Sequence, residues 1–572
     1  MKHMPALLAL TALVSVPCAV SAQTLSPEMI TKVDKVFDKY DRTDSPGCAL
    51  GVYQDGKIVY AHGYGMANLN DDVTITPETV FHVASMSKQF TAASILLLAA
   101  QGKLSLDDDV HKYIPELQDY GVPVTLRQMM HHTSGLRDQW ALLELAGWRY
   151  SQDLITDADV LSVVERQKEL NFKPGEKFMY SNTGFTLLAI IVSRVSGMSF
   201  REFTSKNIFD PLGMTHTHFR DDHEEVIKHD ALGYEQAGNT YRMNLTNFDT
   251  AGATSLHTTV EDLQLWDENF YHPRVGGQAL IDEMLKRGVL NSGELQDYAG
   301  GLTIGTYKGL KTVDHNGGDA GYRSDMTRFP DQHFSASVLC NLAETDPTAL
   351  VRQVADVVLA ADILRAKDLK EPAPVAEEKQ LVKAVPVPPM MVAQMSAITG
   401  SYWNWEDEFA KVVVKDGKLL LDVNRDDWHE LLPFAPNHFH VADESWGERI
   451  DLHFVAADGT KPRYLEESFG GGKPRVFDLV TLAPLTAAEL ADYAGDYVSA
   501  EIDPVYRMVV KDGQVVLHRL KHYPDALRPA IHDVFVGDIG KIRFTRDAAG
   551  HVNGFILDAD RISNFKFTKK TD

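Results

Sequence analysis

Ser85 and Lys88, in "ASMSK", are spaced for nucleophilic chemistry and open an apolar run, "QFTAASILLLAAQG", that reads as a buried helix. On a helix, positions three apart share a face at about 5–6 Å between Cβ atoms, within reach of an amine for a hydroxyl. A serine in the first turn also meets free backbone N–H groups and the positive end of the helix dipole, both of which favour the anion formed in acyl transfer. A lysine whose stem lies among apolar side chains is partly desolvated, so a neutral amine able to take the serine proton becomes accessible near pH 7. Taken alone, the pair still reads first as an ordinary helix start with a solvated lysine. The same spacing recurs at Ser563 and Lys566, in "RISNFKF". The alternation there is that of a strand, whose positions three apart face opposite ways.

Two later motifs change the balance. Tyr180-Ser181-Asn182 follows a Pro174-Gly175 loop and precedes a second apolar helix, "TGFTLLAIIVSRVSG", so its side chains stand at a loop-to-helix junction. His315-Asn316-Gly317-Gly318 ends an expected strand, where glycine lets a substrate backbone approach the strand edge. Tyr-x-Asn recurs at Tyr402 to Asn404, so the information lies in the order and context of all three motifs. Competing chemistries lack support. His131-His132 and His216-Thr217-His218 have no third ligand at metal spacing and read as loop or core histidines. There is no Gly-x-Ser-x-Gly elbow, and "HNGGDAG" is followed by a strand, not a phosphate-binding helix. No metal or cofactor is expected.

Ser85 to Lys88, then "MMHHTSGL", Tyr180 to Asn182 and His315 to Gly317, in this order, resemble the penicillin-recognising serine hydrolases. Within them the resemblance is to the branch of class C β-lactamases, D-Ala-D-Ala carboxypeptidases, D-aminopeptidases and esterases. It covers about residues 24 to 365. It implies an α+β fold, an antiparallel sheet flanked by helices with an all-helical lobe. It also implies that Ser85 is acylated, Lys88 and Tyr180 share the general-base role, and Asn182 orients the substrate amide. His315 would support proton transfer or bind the substrate's end, Gly317 and Gly318 would line the substrate strand, and the N–H groups of Ser85 and Gly318 would form the oxyanion hole. Typical β-lactamases have Lys-Thr-Gly at the third motif, and this chain has none. A histidine there is neutral much of the time near pH 7. Strong β-lactamase activity is therefore not expected, and Arg323 is the nearby cation in sequence. Asp319 and Arg323 are read as turn residues in preference to contacts for a substrate ammonium and carboxylate.

The elements that must position these residues read as follows. Residues 1–22, with a basic start, a short apolar run and a small-residue end, read as a cleaved secretory signal. "SPEMITKVDKVFDKYDR" is an amphipathic helix capped by Ser26, and "CALGVYQDGKIVYAHGYG" a hairpin turning at Asp55-Gly56. Three strands follow from Leu310 to Cys340, with turns at Gly317 to Gly321 and Pro330-Asp331, then an amphipathic helix. Strands at both ends with helices between suggest one domain, 23–365, around a shared antiparallel sheet. Residues 366–390, rich in Pro and charge, read as a linker. Beyond it, "ITGSYWNWEDEFAKVVVKDGKLLL" and "YAGDYVSAEIDPVYRMVVKDGQVVL" share a Gly-x-Tyr start and a Val-Val-Lys-Asp-Gly hairpin, offset by 95 to 96 residues. Two small antiparallel β-barrels or sandwiches are expected, over 391–483 and 484–572. Cys48 and Cys340 read as two buried free thiols, with pairing open if their strands are neighbours.

With 80 acidic against 56 basic residues, a net charge of -24 and no basic stripe, nucleic acid is excluded as a partner. The expected protein is a periplasmic or secreted serine hydrolase without a stable membrane anchor. It would act through acyl-Ser85 on small peptides, amides or esters, foremost D-amino-acid peptides such as cell-wall fragments. An esterase or weak β-lactamase is the alternative within the family, and a non-catalytic cell-wall-binding protein the alternative of another class. Homo-oligomerisation is left open.

Overall fold

The computed structural model describes residues 24–369, 392–404, 408–423, 428–441, 450–457, 463–469, 474–480 and 485–571. The signal at 1–22 and nearly all of the 366–390 linker lie outside them; residues 366–369 continue a helix, Ala360–Leu369.

The chain enters through α1 (Pro27–Val36), whose first turn is capped by the Ser26 hydroxyl accepting from Met29 N at 3.2 Å. Strands β1 (Cys48–Gln54) and β2 (Lys57–Tyr64) form the expected hairpin. Later come β3 (Thr303–Tyr307), β4 (Leu310–Asp319), β5 (Tyr322–Phe329) and β6 (Phe334–Cys340). All pair antiparallel in one six-stranded sheet of order β3-β4-β5-β6-β1-β2, so the amino-terminal hairpin closes onto the last strand. β4 runs on to Asp319, so Gly317 and Gly318 lie inside the strand and the turn is only Ala320-Gly321.

Alternation along the strands gives the sheet two apolar faces. On one, Leu50, Val52, Val338 and Phe334 pack with Val33 and Phe37 at the first helix and Leu350, Val351 and Val354 of the helix Pro347–Val358. On the other, Ala49, Tyr53, Met326 and Leu339 meet the helical lobe, including α2 (Lys88–Ala100), α3 (Gln139–Leu145) and α4 (Asn182–Ser196). Cys48 and Cys340 are register partners on β1 and β6 and form a disulfide, which corrects the free-thiol expectation. With a sequence separation of 292 between the cysteines, only the closing of the sheet reveals the two strands as neighbours.

Each C-terminal repeat is a closed eight-stranded antiparallel barrel, the first from Gly400–Asn404 to Arg475–Val480, the second from Gly495–Val498 to Ile562–Lys569. The last hairpin of the second barrel, β7 (Val552–Ala559) and β8 (Ile562–Lys569), points its turn at the helical lobe. Among the described residues no single helix is long and apolar enough to cross a membrane.

Candidate active site

Ser85 lies on a single 3₁₀ turn, Ala84–Ser87, immediately before α2. The turn is held from both sides: Val83 N donates to Leu256 O at 2.9 Å, and Leu256 N donates to Ser87 Oγ at 3.1 Å. Ala84 has φ 48°, a left-handed conformation costing a residue with a Cβ about 1 kcal/mol or more, so the surroundings must impose it. Gly317 explains part of that imposition. A Cβ there would sit 2.4 Å from Val83 O and 2.9 Å from Ser85 N. The glycine is therefore required by the chain's own Ser85-bearing turn packing on β4. A Cβ at Gly318 would meet only the Arg323 side chain, at 3.5 Å or more, and Gly318 is exposed on the cleft wall.

Lys88 is fully buried, and burial pushes its amine down to about 7. Asp319 and Asp138 pull it up, while Arg561 acts with burial. Its Nζ lies 2.9 Å from Ser85 Oγ, 2.9 Å from Asn182 Oδ1 and 2.7 Å from Ala253 O. These partners orient the neutral amine. Ala253 O can only accept. Asn182 Nδ2 donates to Asp138 Oδ2 at 2.9 Å, which turns Oδ1 toward Lys88 as an acceptor. Two N–H bonds of a neutral amine thus go to Ala253 and Asn182, and its lone pair is left facing the one partner with a proton to give, Ser85.

Tyr180 reaches the same point from a loop strapped to residues 132–135. Met179 N donates to His132 O at 2.9 Å, Ser181 N to His132 Nδ1 at 3.1 Å, and Gly175 N to Thr133 O at 2.7 Å. The Tyr180 ring packs on His132 at 4.1 Å between centroids, with Lys88 Nζ 4.9 Å and the Arg561 guanidinium 5.0 Å from its centre. Burial drives the Tyr180 hydroxyl well above its ordinary range, opposed by Ser85 and Arg561, so it holds its proton at neutral pH.

His315 stands one layer back. It is 4% exposed and absent from the cleft wall. Nε2 meets the Tyr298 hydroxyl at 2.8 Å, and Nδ1 lies 2.6 Å from Asn316 O, so Nδ1 carries the proton and Nε2 accepts. Burial pushes its pKa down to about 3. Direct contact with substrate is thereby corrected to support from behind: alternation along β4 points His315 inward while Asn316 and Gly318 face out. His132, 0% exposed, is likewise a packing group, held neutral by burial and then by Lys88.

The cleft, about 490 Å³, is lined by Ser85, Tyr180, Asn182, Gly317 and Gly318 and by residues that sequence reasoning missed, Asp138, Tyr150, Thr254 and Arg561 among them. Asp138 caps α3 through Trp140 N at 3.0 Å and accepts from Asn182 N at 2.7 Å. An Asp before "QWALLEL" was a readable cap signal, but its bond to Asn182 was not. Asp319 is no turn residue: buried at the end of β4, it accepts from His82 at 2.9 Å and from the Thr254 and Tyr150 hydroxyls. Arg323 donates to Ala320 O at 3.0 Å and Tyr322 O at 2.7 Å and does not line this cleft.

Ser85, Tyr180 and Asn182 thus line one cleft beside β4, with Lys88 buried behind Ser85, on an antiparallel sheet with a helical lobe. The Beta-lactamase family model matches residues 33–360. The chain belongs to that family. It is 30% identical over 404 residues to penicillin-binding protein 4* of Bacillus subtilis (strain 168), covering 68% of this chain and 86% of that protein. Protein flp of Staphylococcus aureus (strain MRSA252) is 29% identical over 65% of this chain and 74% of its own length. The octameric penicillin-binding protein homologue from Pyrococcus abyssi has a similar fold, with a TM-score of 0.54 at 23% identity over 79% of this chain and 99% of that one.

Proposed function

We propose that this Beta-lactamase-family chain is an exported serine hydrolase that cleaves amide or ester bonds through an acyl-Ser85 intermediate. The observation carrying the proposal is Lys88, a buried amine whose obligate acceptors leave its lone pair for Ser85. A protein that only binds has no use for so costly an arrangement.

In the proposed sequence, neutral Lys88 takes the Ser85 proton as Oγ attacks the carbonyl carbon, and the N–H groups of Ser85 and Gly318 receive the oxyanion. The intermediate collapses, the bond to the leaving atom breaks, and Tyr180 gives that atom its proton and is reprotonated by the Lys88 ammonium. Water then attacks the acyl-serine, and its proton passes to neutral Lys88 directly or by relay through the Tyr180 hydroxyl. The Lys88 ammonium returns a proton to Ser85 Oγ as the acyl bond breaks, and a carboxylic acid leaves. Among acyl groups, D-amino-acid peptides or amides stand first, with simple esters the nearest alternative. The His315 motif in place of Lys-Thr-Gly argues against an efficient β-lactamase. The Cys48–Cys340 disulfide supports export, because such bonds persist in oxidising compartments; a signal at 1–22 is the proposed route.

The test is acylation by a fluorescent fluorophosphonate and a fluorescent penicillin, with Ser85→Ala as control. Labelling that Ser85→Ala abolishes is expected. Folded protein labelled by neither reagent at Ser85 would overturn the reading.

A further inference from the structure

We propose that Arg561, on the β7–β8 turn of the second barrel, is the carboxylate receptor of the Ser85 cleft and selects substrates whose leaving group carries an anionic end. The inference rests on the hydrolase reading above and names its substrate class.

Of the described residues lining the cleft, Arg561 is the one cationic side chain. Its guanidinium is only loosely held. Long ion pairs run to Asp138 at 3.7 Å and to Asp560 at 3.9 Å, both beyond hydrogen-bond range, and the side chain makes no hydrogen bond among the described residues. Lys88, by contrast, has a partner for each of its three directions, and Arg323 is tied to two carbonyls of its own turn. Arg561 is 37% exposed, open to the cleft yet partly desolvated, where a bidentate carboxylate pair gains most.

The turn that presents it is built in. Arg561 O accepts from Asn171 Nδ2 at 2.8 Å and Asp138 N at 3.4 Å, and Asn171 Oδ1 accepts from Ser563 N at 2.8 Å. Arg137 donates to Ser563 O at 3.1 Å and Asn564 O at 3.2 Å while pairing with Glu501 at 2.7 Å, both charges buried. Such a network ties the turn's backbone to the helical lobe on both sides of Arg561. A solvent-facing turn would have no need of it.

Geometry also assigns the side of the reaction. The guanidinium sits over the Tyr180 ring, and Tyr180 is the proton donor to the departing atom in the proposed sequence. A carboxylate reached by Arg561 therefore belongs to the fragment that leaves past Tyr180. The wall also carries three carboxylates, Asp138 and Asp560 beside Arg561 and Asp319 at the end of β4, so an anion gains only where it meets the guanidinium itself. Trp140, Tyr150 and Asp560 of the cleft wall also line a neighbouring cavity of about 570 Å³, together with Trp148 and Tyr523.

The experiment compares 3-carboxyphenyl phenylacetate with phenyl phenylacetate, which share one acyl-enzyme and differ in leaving-group charge. Wild type is expected to prefer the carboxylate ester. Arg561→Gln should lower the ratio of the two kcat/KM values about 10- to 100-fold, the usual worth of a charged hydrogen-bonded pair, and Arg561→Lys should retain part of it. A wild type without the preference, a ratio unchanged in Arg561→Gln, or an equal loss on both esters would each overturn the assignment. So would an Arg561-dependent preference for phenyl hydrogen succinate, whose carboxylate stays on the acyl side. The wild-type ratio decides even where a variant fails to fold. Absence of any Ser85-dependent turnover would instead sink the hydrolase reading itself.

Discussion

Tyr402 and Tyr497 occupy matching places in the two barrels, each hydroxyl donating at 2.8 Å to the carbonyl four residues earlier, Ile398 and Tyr493. The hairpin turns match as well, Asp416-Gly417 and Asp512-Gly513, with φ of 53° and 75° in one and 53° and 77° in the other. So do the bulges, after Pro433 and after Pro529. The packing differs. The first barrel encloses a core of its own, including Tyr402, Leu421, Phe439 and Phe477. The apolar core of the second, with Tyr493, Phe544 and Phe565, is continuous with that of the helical lobe, Leu142, Leu145 and Phe185 included. Its Tyr506 hydroxyl donates to Leu145 O at 3.0 Å. The barrels meet through Trp403 and Phe409 against Ala530, Val534 and Val536, and through Arg528 to Asp422 at 2.7 Å. One repeated scaffold thus serves as a separate body in one copy and as a wall of the cleft in the other; the sheet is the same, and the turn and the surface it lands on make the difference.

Breaking the lobe–barrel contact is expected to have the largest effect. Arg137→Ala strands the buried Glu501 carboxylate and releases the carbonyls of Ser563 and Asn564, a loss of about 3–5 kcal/mol, with ester turnover falling as Arg561 loses its anchor. Arg528→Ala removes the ion pair between the barrels, Arg528 21% exposed and Asp422 buried, but leaves their apolar contact through Trp403 and Phe409, and should cost less and spare turnover. Denaturant unfolding and turnover, measured on both variants, check the pair. Equal losses of turnover would show that the first barrel also shapes the cleft.

The same contrast marks what the sequence makes legible. Ser85, Lys88 and the Tyr180-Asn182 junction are local patterns, set by helix periodicity and a loop end, and the repeats declare themselves through their turn chemistry. Asp138 is a helix cap by its neighbours, but its grip on Asn182 exists only across the helical lobe. Arg561 stands in an unremarkable hairpin turn, and "SNFK", which has no chemistry of its own as a strand, supplies the Ser563 and Asn564 carbonyls that dock it. Gly317 was legible as a close approach, though what approaches is the Ser85 turn. Strand neighbours such as Cys48 and Cys340 are fixed by tertiary closure, which local periodicity does not carry.

A smaller effect is expected on pH dependence. Lys88 must be neutral to take the Ser85 proton, so kcat/KM should rise with pH through about 7 and level off above it. His315, pushed down to about 3, contributes no limb there, and the limb should persist in His315→Asn wherever activity remains. Arg561 disfavours the Lys88 ammonium, so Arg561→Gln should move the limb upward by less than about one pH unit. Removing a first-barrel cation, as in Lys418→Gln, should leave it in place. pH profiles of neutral-ester hydrolysis test both, and a limb that follows His315 instead of Lys88 would reassign the base.

The finest probe uses the matched tyrosines. Tyr402→Phe and Tyr497→Phe each delete one buried hydrogen bond to a carbonyl and keep the ring, so each should cost about 1 kcal/mol in unfolding. Because Tyr497 stands on the first strand of its barrel, away from the β7–β8 turn, neither change should alter the rate of Ser85 acylation. Equal stability costs with unchanged acylation would mean that the cleft feels only the docked hairpin and the barrel behind it is interchangeable scaffold. Slower acylation in Tyr497→Phe alone would mean that strain anywhere in the second barrel reaches Arg561 through the shared core, and the division between scaffold and site would have to move from the turn to the whole barrel.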